Sequence, residues 1–472
     1  TLTGKGEFIH IADFNCNDSH ILYANKTIHN LDNGGSGEST FGNDTAANYH
    51  CNFVASMAAG DITGSNYAGG VAPDADLVIS SIPNYDGWRA DDWGRDLDSA
   101  RGYGAIASNN SWGNPDKEGY SVCPTGVNCS FNATEFQTLI NNYPSYSKEQ
   151  LLAFVIQGDT GSASTASLNE YLTALNNFQS SGVIVFASGN NNQETDVNVM
   201  GALPEFFPDL AEAWLSVGYI DFTGDSIVGA TESEFSMQGS KCGSAKEYCL
   251  VADATHVYGA SWYNEGTGAH NYVDNKSGSS YAAPMVSGGI ALIAQAFPNH
   301  TPAQLTDRLL ASANNDFFTA EGTTTFTTHG NSVTHGYHST WGQGIPDFYA
   351  AMSPITSNSN PALALYTGNS VQSGGSRNLS SSYINSSSSF GNAISQGLVG
   401  ESGFAYDALS GGFKYDMSTR VNMTNNKAPT ISLSSELSKL DNQLQLGNNS
   451  DWKQNFSKVL STLSKTDTLE TS

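Results

Sequence analysis

The chain has 472 residues, of which 39% are apolar, so it can bury a large core and is long enough for more than one domain. Its 19 basic and 45 acidic residues give a formal net charge of −26, which argues against nucleic acid or an anionic membrane as a partner. No apolar run reaches the roughly 18 to 20 residues of a membrane-spanning helix, and no secretory leader precedes Thr1, so we expect a mature or trimmed form.

The first half of the chain alternates strands with helices. The run from Phe8 to Ala12 is nearly continuously apolar, which is typical of a parallel strand covered on both faces. Further strands are predicted at "DADLVISSI", "GAIASNNSWG" and "VIVFASGN", and helices at "HCNFVASMAAG" and "ASLNEYLTALNNFQSSG". This alternation predicts an α/β fold with a doubly wound parallel sheet, whose ligands bind beyond the carboxyl ends of the strands. Asp13 and Asn190 each end a predicted strand, and Ser111 closely follows one.

In the second half, "NKSGSSYAAPMVSGGIALIAQAF" (275–297) combines a Gly/Ser-rich turn with an apolar helix of small residues. The turn has an ordinary structural explanation, since Gly and Ser favour turns before helices. Alternatively, Ser280 is a nucleophile at a helix N-terminus, where the helix dipole favours developing negative charge. Two later segments, "TPAQLTDRLLASAN" and "WGQGIPDFYAAM", precede a change in composition near residue 355.

Four residues at the predicted sheet edge could together carry out nucleophilic catalysis. Asp13 could orient an imidazole, His50 at a helix start could act as general base and acid, and Ser280 could attack. The side-chain amide of Asn190 could donate to the oxyanion. Taken singly, each residue also fits a structural role in a turn or at a helix start. The combination is what predicts catalysis.

The motifs resemble those of the subtilisin-like serine proteases over most of residues 1–352. "GKGEFIHIADFN" is similar to that family's aspartate strand, "NYHCNFVASMAAG" to its histidine helix and "GGVAPDADLVIS" to the segment that follows. "NNSWG" is similar to its substrate-binding strand, "VIVFASGN" to its oxyanion strand and "SGSSYAAPMVSG" to its nucleophile motif. The resemblance implies a subtilisin-like fold and a serine endopeptidase with Asp13, His50, Ser280 and Asn190 in the roles above.

The chain departs from the family pattern at several positions beside these residues. Cys-Asn-Phe follows His50 in place of Gly-Thr-His, and Phe14-Asn15 follows Asp13 in place of Thr-Gly. Ser279 replaces the usual Thr, and Tyr281 occupies a position where many relatives carry an oxidisable methionine. The first two changes alter the surroundings of the general base and its orienting acid.

The resemblance also implies a specificity pocket for a protein or peptide substrate bound as an added strand. Ser111, Trp112 and Gly113 are expected to form one wall and Ala187, Ser188 and Gly189 the other, with Ala202 at the base. Since no acid is expected there, a large apolar or uncharged residue should precede the scissile bond. Residues 114–165, which are additional to the minimal family core, are expected to rim the cleft.

A narrower resemblance is to subtilases exported as autotransporter passengers of Gram-negative bacteria, carried by "SKCGSAKEYCLVA" and "WGQGIPDFYAAM" and loosely by "GESGFAYDALSGGFKYDM". It implies a secreted or cell-surface enzyme exported across the outer membrane, whose membrane-barrel translocator is absent from this chain. We expect a monomer with a catalytic domain over residues 1–355. Residues 356–472, rich in Ser and Asn at first and amphipathic at the end, are expected to form a linker or stalk.

The six cysteines form three near pairs in the sequence, and their even number favours disulfides in an oxidising compartment. The spacing does not suggest zinc, and the full connectivity stays open. The pairs are Cys16 with Cys51, Cys123 with Cys129, and Cys242 with Cys249.

Two other functional classes compete with the protease. A pseudoprotease or adhesin would bind without cutting, which the intact set of four residues argues against. A metal hydrolase could use His329, His335 and His338, but these lie in a Gly/Thr-rich segment without a nearby acid. No catalytic metal or required cofactor is expected, and structural calcium is compatible with the family resemblance.

Overall fold

The structure is a computed structural model that describes residues 2–13, 19–31, 49–63, 67–81, 90–113, 131–157, 164–264, 267–328, 331–356, 364–365, 377–378, 383–387 and 390–424. The chain divides into two compact units. The first comprises Thr1–Thr325 and Thr334–Ser353, and the second comprises Phe326–Val333 and Pro354–Ser472.

An eight-stranded sheet forms the centre of the first unit. Its strands are β1 (Phe8–Asp13), β2 (Ile28–Leu31), β3 (Asp76–Ser81), β4 (Ala105–Asn110), β5 (Val183–Ala187), β6 (Trp214–Phe222), β7 (Phe235–Met237) and β8 (Cys249–Asp253). The order is β2-β3-β1-β4-β5-β6-β7, and β8 also pairs with β6. All pairs are parallel except the antiparallel pair β6–β7. The predicted α/β fold with a parallel sheet is thereby confirmed.

The strand order places a topological switch point at β1. β1 pairs on one side with β3, which follows it along the chain, and on the other side with β4. Crossover connections therefore leave β1 and β4 towards opposite edges of the sheet. Such a point opens a crevice at the carboxyl ends of the two strands, where ligands of parallel sheets bind.

Helices flank this sheet. They are α1 (His50–Ala59), α2 (Ala90–Gly102), α3 (Ala133–Asn142), α4 (Lys148–Gln157), α5 (Thr165–Phe178), α6 (Leu203–Phe206), α7 (Ser279–Ala296), α8 (Pro302–Ala311) and α9 (Phe348–Ala351). α7 is apolar or small on nearly every face and contacts α1, β4, β5 and β6, as expected for a central buried helix. Within the described ranges, no helix combines the length and apolar character needed to cross a membrane.

The predicted insertion at residues 114–165 contains two helices that the sequence analysis did not identify, α3 and α4. α3 begins with a capping box, in which Asn132 Oδ1 accepts from the Glu135 N–H and the Glu135 carboxylate accepts from the Asn132 N–H. The segment just before α3 runs antiparallel to a later loop, because Val199 N donates to Phe131 O and Ala133 N donates to Val197 O. The insertion is thus joined to the 197–199 segment by main-chain hydrogen bonds.

Two antiparallel hairpins lie outside the main sheet. β9 (Val257–Asn264) pairs with β10 (Ala269–Lys276), and β11 (Gly322–Thr328) pairs with β12 (Asn331–Tyr337). β9 contacts α1, where Asn52 Nδ2 donates to Ser261 O and Ala260 N donates to Ser56 Oγ. The hairpin formed by β9 and β10 therefore braces α1 and leads directly into α7.

The second unit contains short strands and one helix. They are β13 (Ala364–Leu365), β14 (Arg377–Asn378), β15 (Ile384–Ser387), α10 (Ala393–Gly397), β16 (Ser402–Tyr406), β17 (Gly412–Asp416) and β18 (Val421–Thr424). β16 and β17 form an antiparallel hairpin whose turn is held by buried Asp407, since its Oδ1 accepts from the N–H groups of Leu409 and Gly411. The linker or stalk role stays a prediction, and the amphipathic segment from residue 434 lies outside the described residues.

Candidate active site

Asp13 is the last residue of β1, at the carboxyl edge of the sheet and next to the switch point. The strand is buried on both faces, and the Asp13 side chain is 0% exposed. A carboxylate buried to this degree requires a hydrogen-bonding or charged partner. His50 supplies one.

His50 is the first residue of α1, and its Nδ1 lies 2.7 Å from Oδ1 of Asp13. Because the carboxylate only accepts, Nδ1 carries the hydrogen and Nε2 is left as the basic nitrogen. Burial lowers the pKa of His50, but the Asp13 charge and hydrogen bond outweigh burial, so the pKa is raised overall. The His50 side chain is 34% exposed, so it can be reached from solvent.

Ser280 is the second residue of α7, and the residue that follows it has its ring near His50. The ring of the next residue, Tyr281, packs 4.4 Å from the Phe53 ring and 5.8 Å from the His50 ring, measured between centroids. Ser280 Oγ donates to the main-chain oxygen of Ser111 at 3.2 Å and, among the described residues, makes no hydrogen bond to His50. The Ser280 hydroxyl is thus bonded to the segment after β4.

Asn190 lies just beyond β5 and is joined to the start of α7 through Ser279. Its Oδ1 accepts from both N and Oγ of Ser279, each at 2.8 Å. Ser279 Oγ also accepts from the Gly189 N–H at 3.2 Å. The amide group of Asn190 is thus oriented by its oxygen, and its Nδ2 has no hydrogen bond to another described residue. The serine that replaces the usual threonine forms the link.

The predicted wall formed by Ser111, Trp112 and Gly113 directly follows β4. The Trp112 ring is only 6% exposed and packs between Trp93 and Phe186, at centroid distances of 4.8 and 5.3 Å. Trp112 therefore contributes main chain to this wall and its side chain to the core.

A residue that the sequence analysis did not identify lies against Gly113. A Cβ atom added to Gly113 would be 2.6 Å from Cγ of Asn198, whose side chain is 1% exposed. Asn198 Oδ1 accepts from the Met200 N–H at 3.0 Å, and the main-chain oxygen of Asn198 accepts from Ala202 N at 3.2 Å. Asn198 thereby links the first wall to the predicted pocket base at Ala202.

The opposite predicted wall, Ala187 to Gly189, continues from the end of β5. Ala187 is 5% exposed, and Ser188 is fully buried with its hydroxyl donating to Ser240 O at 3.1 Å. Gly189 has a φ of 121°, a left-handed conformation that favours glycine. The wall turns at this glycine towards Asn190.

Cys242 and Cys249 form a disulfide with a Cα–Cα distance of 5.8 Å. Cys51, the second residue of α1, is also disulfide-bonded and fully buried. Its predicted partner Cys16 lies outside the described residues, as do Cys123 and Cys129. Two of the three predicted pairings therefore remain predictions.

Two of the three histidines considered for a metal site have other partners. His335 Nδ1 and Nε2 are hydrogen-bonded to Gln343 Oε1 and Ala313 O, at 2.7 and 2.9 Å. His338 Nε2 lies 3.3 Å from Oε1 of Glu321, and His329 lies outside the described residues. In the part of the chain that the structure describes, no group of three or more His, Cys, Asp or Glu side chains could hold a metal ion.

A buried histidine in β1 was not identified from the sequence. His10 is 2% exposed, and its ring nitrogens lie 2.9 Å from the hydroxyls of Ser80 on β3 and Ser108 on β4. Burial lowers the pKa of His10 to about 3, so the ring is neutral at pH 7. The available signal was a polar residue within a strand predicted to be buried on both faces.

Comparison with known proteins relates this arrangement to a protease family. The sequence profile of the subtilase family matches residues 4–344. An extracellular serine protease of Serratia marcescens is 27% identical over 337 residues, which cover 64% of this chain and 29% of that protein. Serotype-specific antigen 1 of Mannheimia haemolytica is 26% identical over 136 residues, covering 28% of this chain and 13% of that protein. The chain thus spans less than a third of either relative.

Among solved structures, the chain is similar to fervidolysin from Fervidobacterium pennivorans, a keratinolytic enzyme related to subtilisin. The two are 17% identical, with a TM-score of 0.46, and the match covers 77% of this chain and 44% of that one.

Proposed function

This chain belongs to the subtilase family, and from that premise we propose that it is a secreted or surface-exposed serine endopeptidase that uses Ser280 as its nucleophile. The observation that carries the assignment is the 2.7 Å hydrogen bond between Asp13 and His50, beside the N-terminus of α7. Asp13 orients the imidazole, His50 is the general base and acid, and Asn190 donates to the oxyanion.

In the proposed reaction, the Ser280 hydroxyl oxygen attacks the scissile carbonyl carbon while His50 Nε2 accepts the hydroxyl proton. The resulting imidazolium is stabilised by the buried Asp13 carboxylate. When the tetrahedral intermediate collapses, the C–N bond breaks and His50 gives its proton to the leaving amine, leaving an acyl-enzyme on Ser280. A water molecule then attacks the ester in the same way and releases the acid product.

The oxyanion role of Asn190 is supported by the orientation of its amide. Because Oδ1 is bonded to Ser279 N and Oγ, the NH₂ group faces away from the start of α7 and is available to a ligand. A donor fixed before the reaction costs no reorganisation as the negative charge develops. Asn190 would therefore stabilise the transition state more than the bound substrate.

The proposed substrates are proteins or peptides bound as an added strand along Ser111–Gly113. The side chain before the scissile bond would enter between this segment and Ala187–Gly189. Asn198 and Ala202, both nearly or fully buried, carry no charge. An uncharged or apolar side chain is therefore the proposed preference.

A surface or extracellular location is supported by the names of the two relatives. The further proposal that this chain is an autotransporter passenger relies on its sequence motifs. In the alternative, it would be a catalytically weak adhesin with the same fold. The two differ in whether Ser280 reacts.

A fluorophosphonate probe tests the assignment, since it phosphonylates only an activated serine. The wild type should be labelled and should cleave casein, whereas Ser280→Ala should do neither while keeping its circular dichroism spectrum. Ser277→Ala, an exposed serine three positions earlier, is the control and should be labelled normally. An unlabelled wild type would favour the adhesin, and labelled Ser280→Ala would place the nucleophile elsewhere.

A further inference from the structure

Three buried polar side chains form successive hydrogen bonds that start at the main-chain oxygen of Ser280. Ser111 Oγ is 2.8 Å from the main-chain oxygen of Ser280, Asn109 Nδ2 is 2.9 Å from Ser111 Oγ, and Ser287 Oγ is 3.2 Å from Asn109 Oδ1. Ser111 is 3% exposed, and Asn109 and Ser287 are 0% exposed. We call Ser111, Asn109 and Ser287 the polar relay. It connects the end of β4 to two turns of α7.

The relay begins at a carbonyl that α7 cannot satisfy by itself. In a regular α-helix the oxygen of Ser280 would accept from the N–H of residue 284, but that residue is Pro284, which has no N–H. The Ser111 hydroxyl occupies the place of this missing donor. Without it, a buried main-chain oxygen next to the nucleophile would lose its partner.

The direction of every bond in the relay follows from this starting point. Since the Ser280 oxygen only accepts, Ser111 Oγ must donate to it and must accept from Asn109. That requirement turns the Asn109 amide nitrogen towards Ser111 and its oxygen towards Ser287, so Ser287 is the donor there. The Ser287 hydroxyl lies equally close to Ala283 O, at 3.2 Å, so its hydrogen is shared between the two oxygens.

Ser111 and Ser280 also exchange hydrogen bonds, because Ser280 Oγ donates to Ser111 O at 3.2 Å. The nucleophile and the predicted substrate-binding segment are thus held in register at two points, although they lie 169 positions apart in the chain. A shift of Ser111 would move Ser280 relative to both the substrate and His50. Misplacement of a reacting atom by about 1 Å can cost on the order of 100-fold in rate.

We infer that Ser111, Asn109 and Ser287 are positioning residues that fix the Ser280 backbone for attack. The inference rests on the proposed function, since it assigns these residues to the nucleophile of that reaction. Ser111 thereby acts through its side chain as well as through the main chain of the pocket wall. Each hydrogen bond in the polar relay has an assigned donor and acceptor. This distinguishes the three residues from side chains that only pack in the core.

Removing the hydroxyl groups of Ser111 and Ser287 tests the two ends of the polar relay. Ser111→Ala should lower kcat by about 10-fold or more and Ser287→Ala by about threefold, with KM changed less than twofold in each. Thr306→Val is the matched control, because Thr306 is a 3% exposed helical residue whose hydroxyl bonds only to Pro302 O within the described chain. It should lose thermal stability to a similar extent without losing kcat.

Replacing the amide donor of Asn109, the central residue of the polar relay, by an acceptor gives a sharper test. In Asn109→Asp an ionised carboxylate can only accept, so Ser111 must turn its hydrogen towards residue 109 and release the Ser280 oxygen. The expected loss in kcat is about 10- to 100-fold at pH 8. Protonation of the carboxyl would restore a donor, so the ratio of variant to wild-type kcat should rise as the pH is lowered.

Three results would contradict the inference that the polar relay positions Ser280. They are an unchanged kcat in Ser111→Ala, an effect of Ser111→Ala on KM alone, and a ratio of Asn109→Asp to wild-type kcat that does not change with pH although the variant has a folded spectrum. If Asn109→Asp does not fold, the two hydroxyl deletions decide. The proposed function fails separately, through an unlabelled wild-type Ser280.

Discussion

Oδ1 of Asp13 lies 2.7 Å from Nδ1 of His50, although the two residues are 37 positions apart. Asp13 is fixed by a strand buried on both faces, and His50 by the first turn of a helix whose remaining residues are almost all buried. The relative position of Asp13 and His50 is therefore fixed by the packing of the core. This geometry assigns Nδ1 to Asp13 and leaves Nε2 as the basic nitrogen of His50.

Asp13→Asn should reduce kcat on the order of 10⁴-fold with the fold retained, because an amide can stabilise the wrong tautomer and cannot stabilise the imidazolium. Asp13 raises the pKa of His50, and catalysis requires the neutral ring, so wild-type activity is lost as the pH falls through that raised pKa. The variant's acid limb should move to lower pH. A kcat/KM profile measures the shift, and Asp98→Asn on the exposed part of α2 is the control.

Asn190→Ala should lower kcat roughly 10²-fold or more with little change in KM, because its contact strengthens only as charge develops on the oxyanion. Steady-state kinetics on a short peptide provide the measurement. Asn192→Ala, at an exposed position in the same loop, should be neutral. A loss seen only in KM would contradict the role.

The protein should lose stability on acidification through His10. Its pKa is about 3 in the folded chain and about 6.5 when exposed, so the unfolded chain binds a proton first as the pH falls. His10 therefore stabilises the folded state fully above pH 6.5 and progressively less down to about pH 3. The expected loss from this group is about 2 kcal/mol between pH 6.5 and 5.

Denaturant unfolding at several pH values measures this loss, with His10→Gln as the comparison. For His10→Gln, the slope of the unfolding free energy against pH should correspond to about one proton fewer taken up on unfolding over that range. His20, whose pKa burial lowers to about 4, contributes a similar slope and remains in both proteins. Equal slopes for wild type and variant would exclude His10 as the source.

Removal of the Cys242–Cys249 disulfide should destabilise the first unit. The loop is short, with a sequence separation of 7, so replacing both cysteines by alanine should cost about 2 to 3 kcal/mol. The loop also carries Ser244, whose N and Oγ donate to the buried Asp196 at 2.9 and 2.8 Å. Unfolding by urea measures the cost, and wild type under reducing conditions should approach the variant.

A chain ending at Ser353 tests the predicted domain boundary. It should keep kcat/KM on a short peptide within about threefold, a difference below ~1 kcal/mol in transition-state binding. The residues assigned to catalysis and the pocket all precede that point. A truncated chain that folds with the same spectrum but loses peptide turnover would show that the later residues complete the site.

The sequence was sufficient to predict β1, β3, β4, β5 and α7, because continuous apolar runs such as Phe8–Ala12 have few alternatives to a doubly covered strand, but it did not predict β2, β6, β7 or β8. It did not reveal α3 and α4, which lie in an insertion that the family pattern does not cover. The antiparallel pairing of residues 131–133 with 197–199 was also not predicted from the sequence. Pairing over such a distance leaves no local periodicity to detect.

The residue types of the candidate site could be predicted, but their connections could not. The motifs indicated Asp13, His50, Ser280 and Asn190, whereas Ser287, which bonds to Asn109, and both partners of His10 lie on other strands or helices. A polar residue in a buried strand signals that a partner exists and does not identify it. Only the folded arrangement shows that Ser279 joins Asn190 to α7.

The anchoring of Asn190 through its oxygen has a consequence for chemical ageing of the protein. Hydrolysis of this amide to a carboxylate would leave one oxygen able to accept both hydrogen bonds from Ser279, so the loop and α7 would stay joined. The other oxygen would replace the proposed donor with a negative charge. Stored enzyme could thus become inactive while its melting temperature stays the same, and a gain of about 1 Da at this position would be the detectable sign.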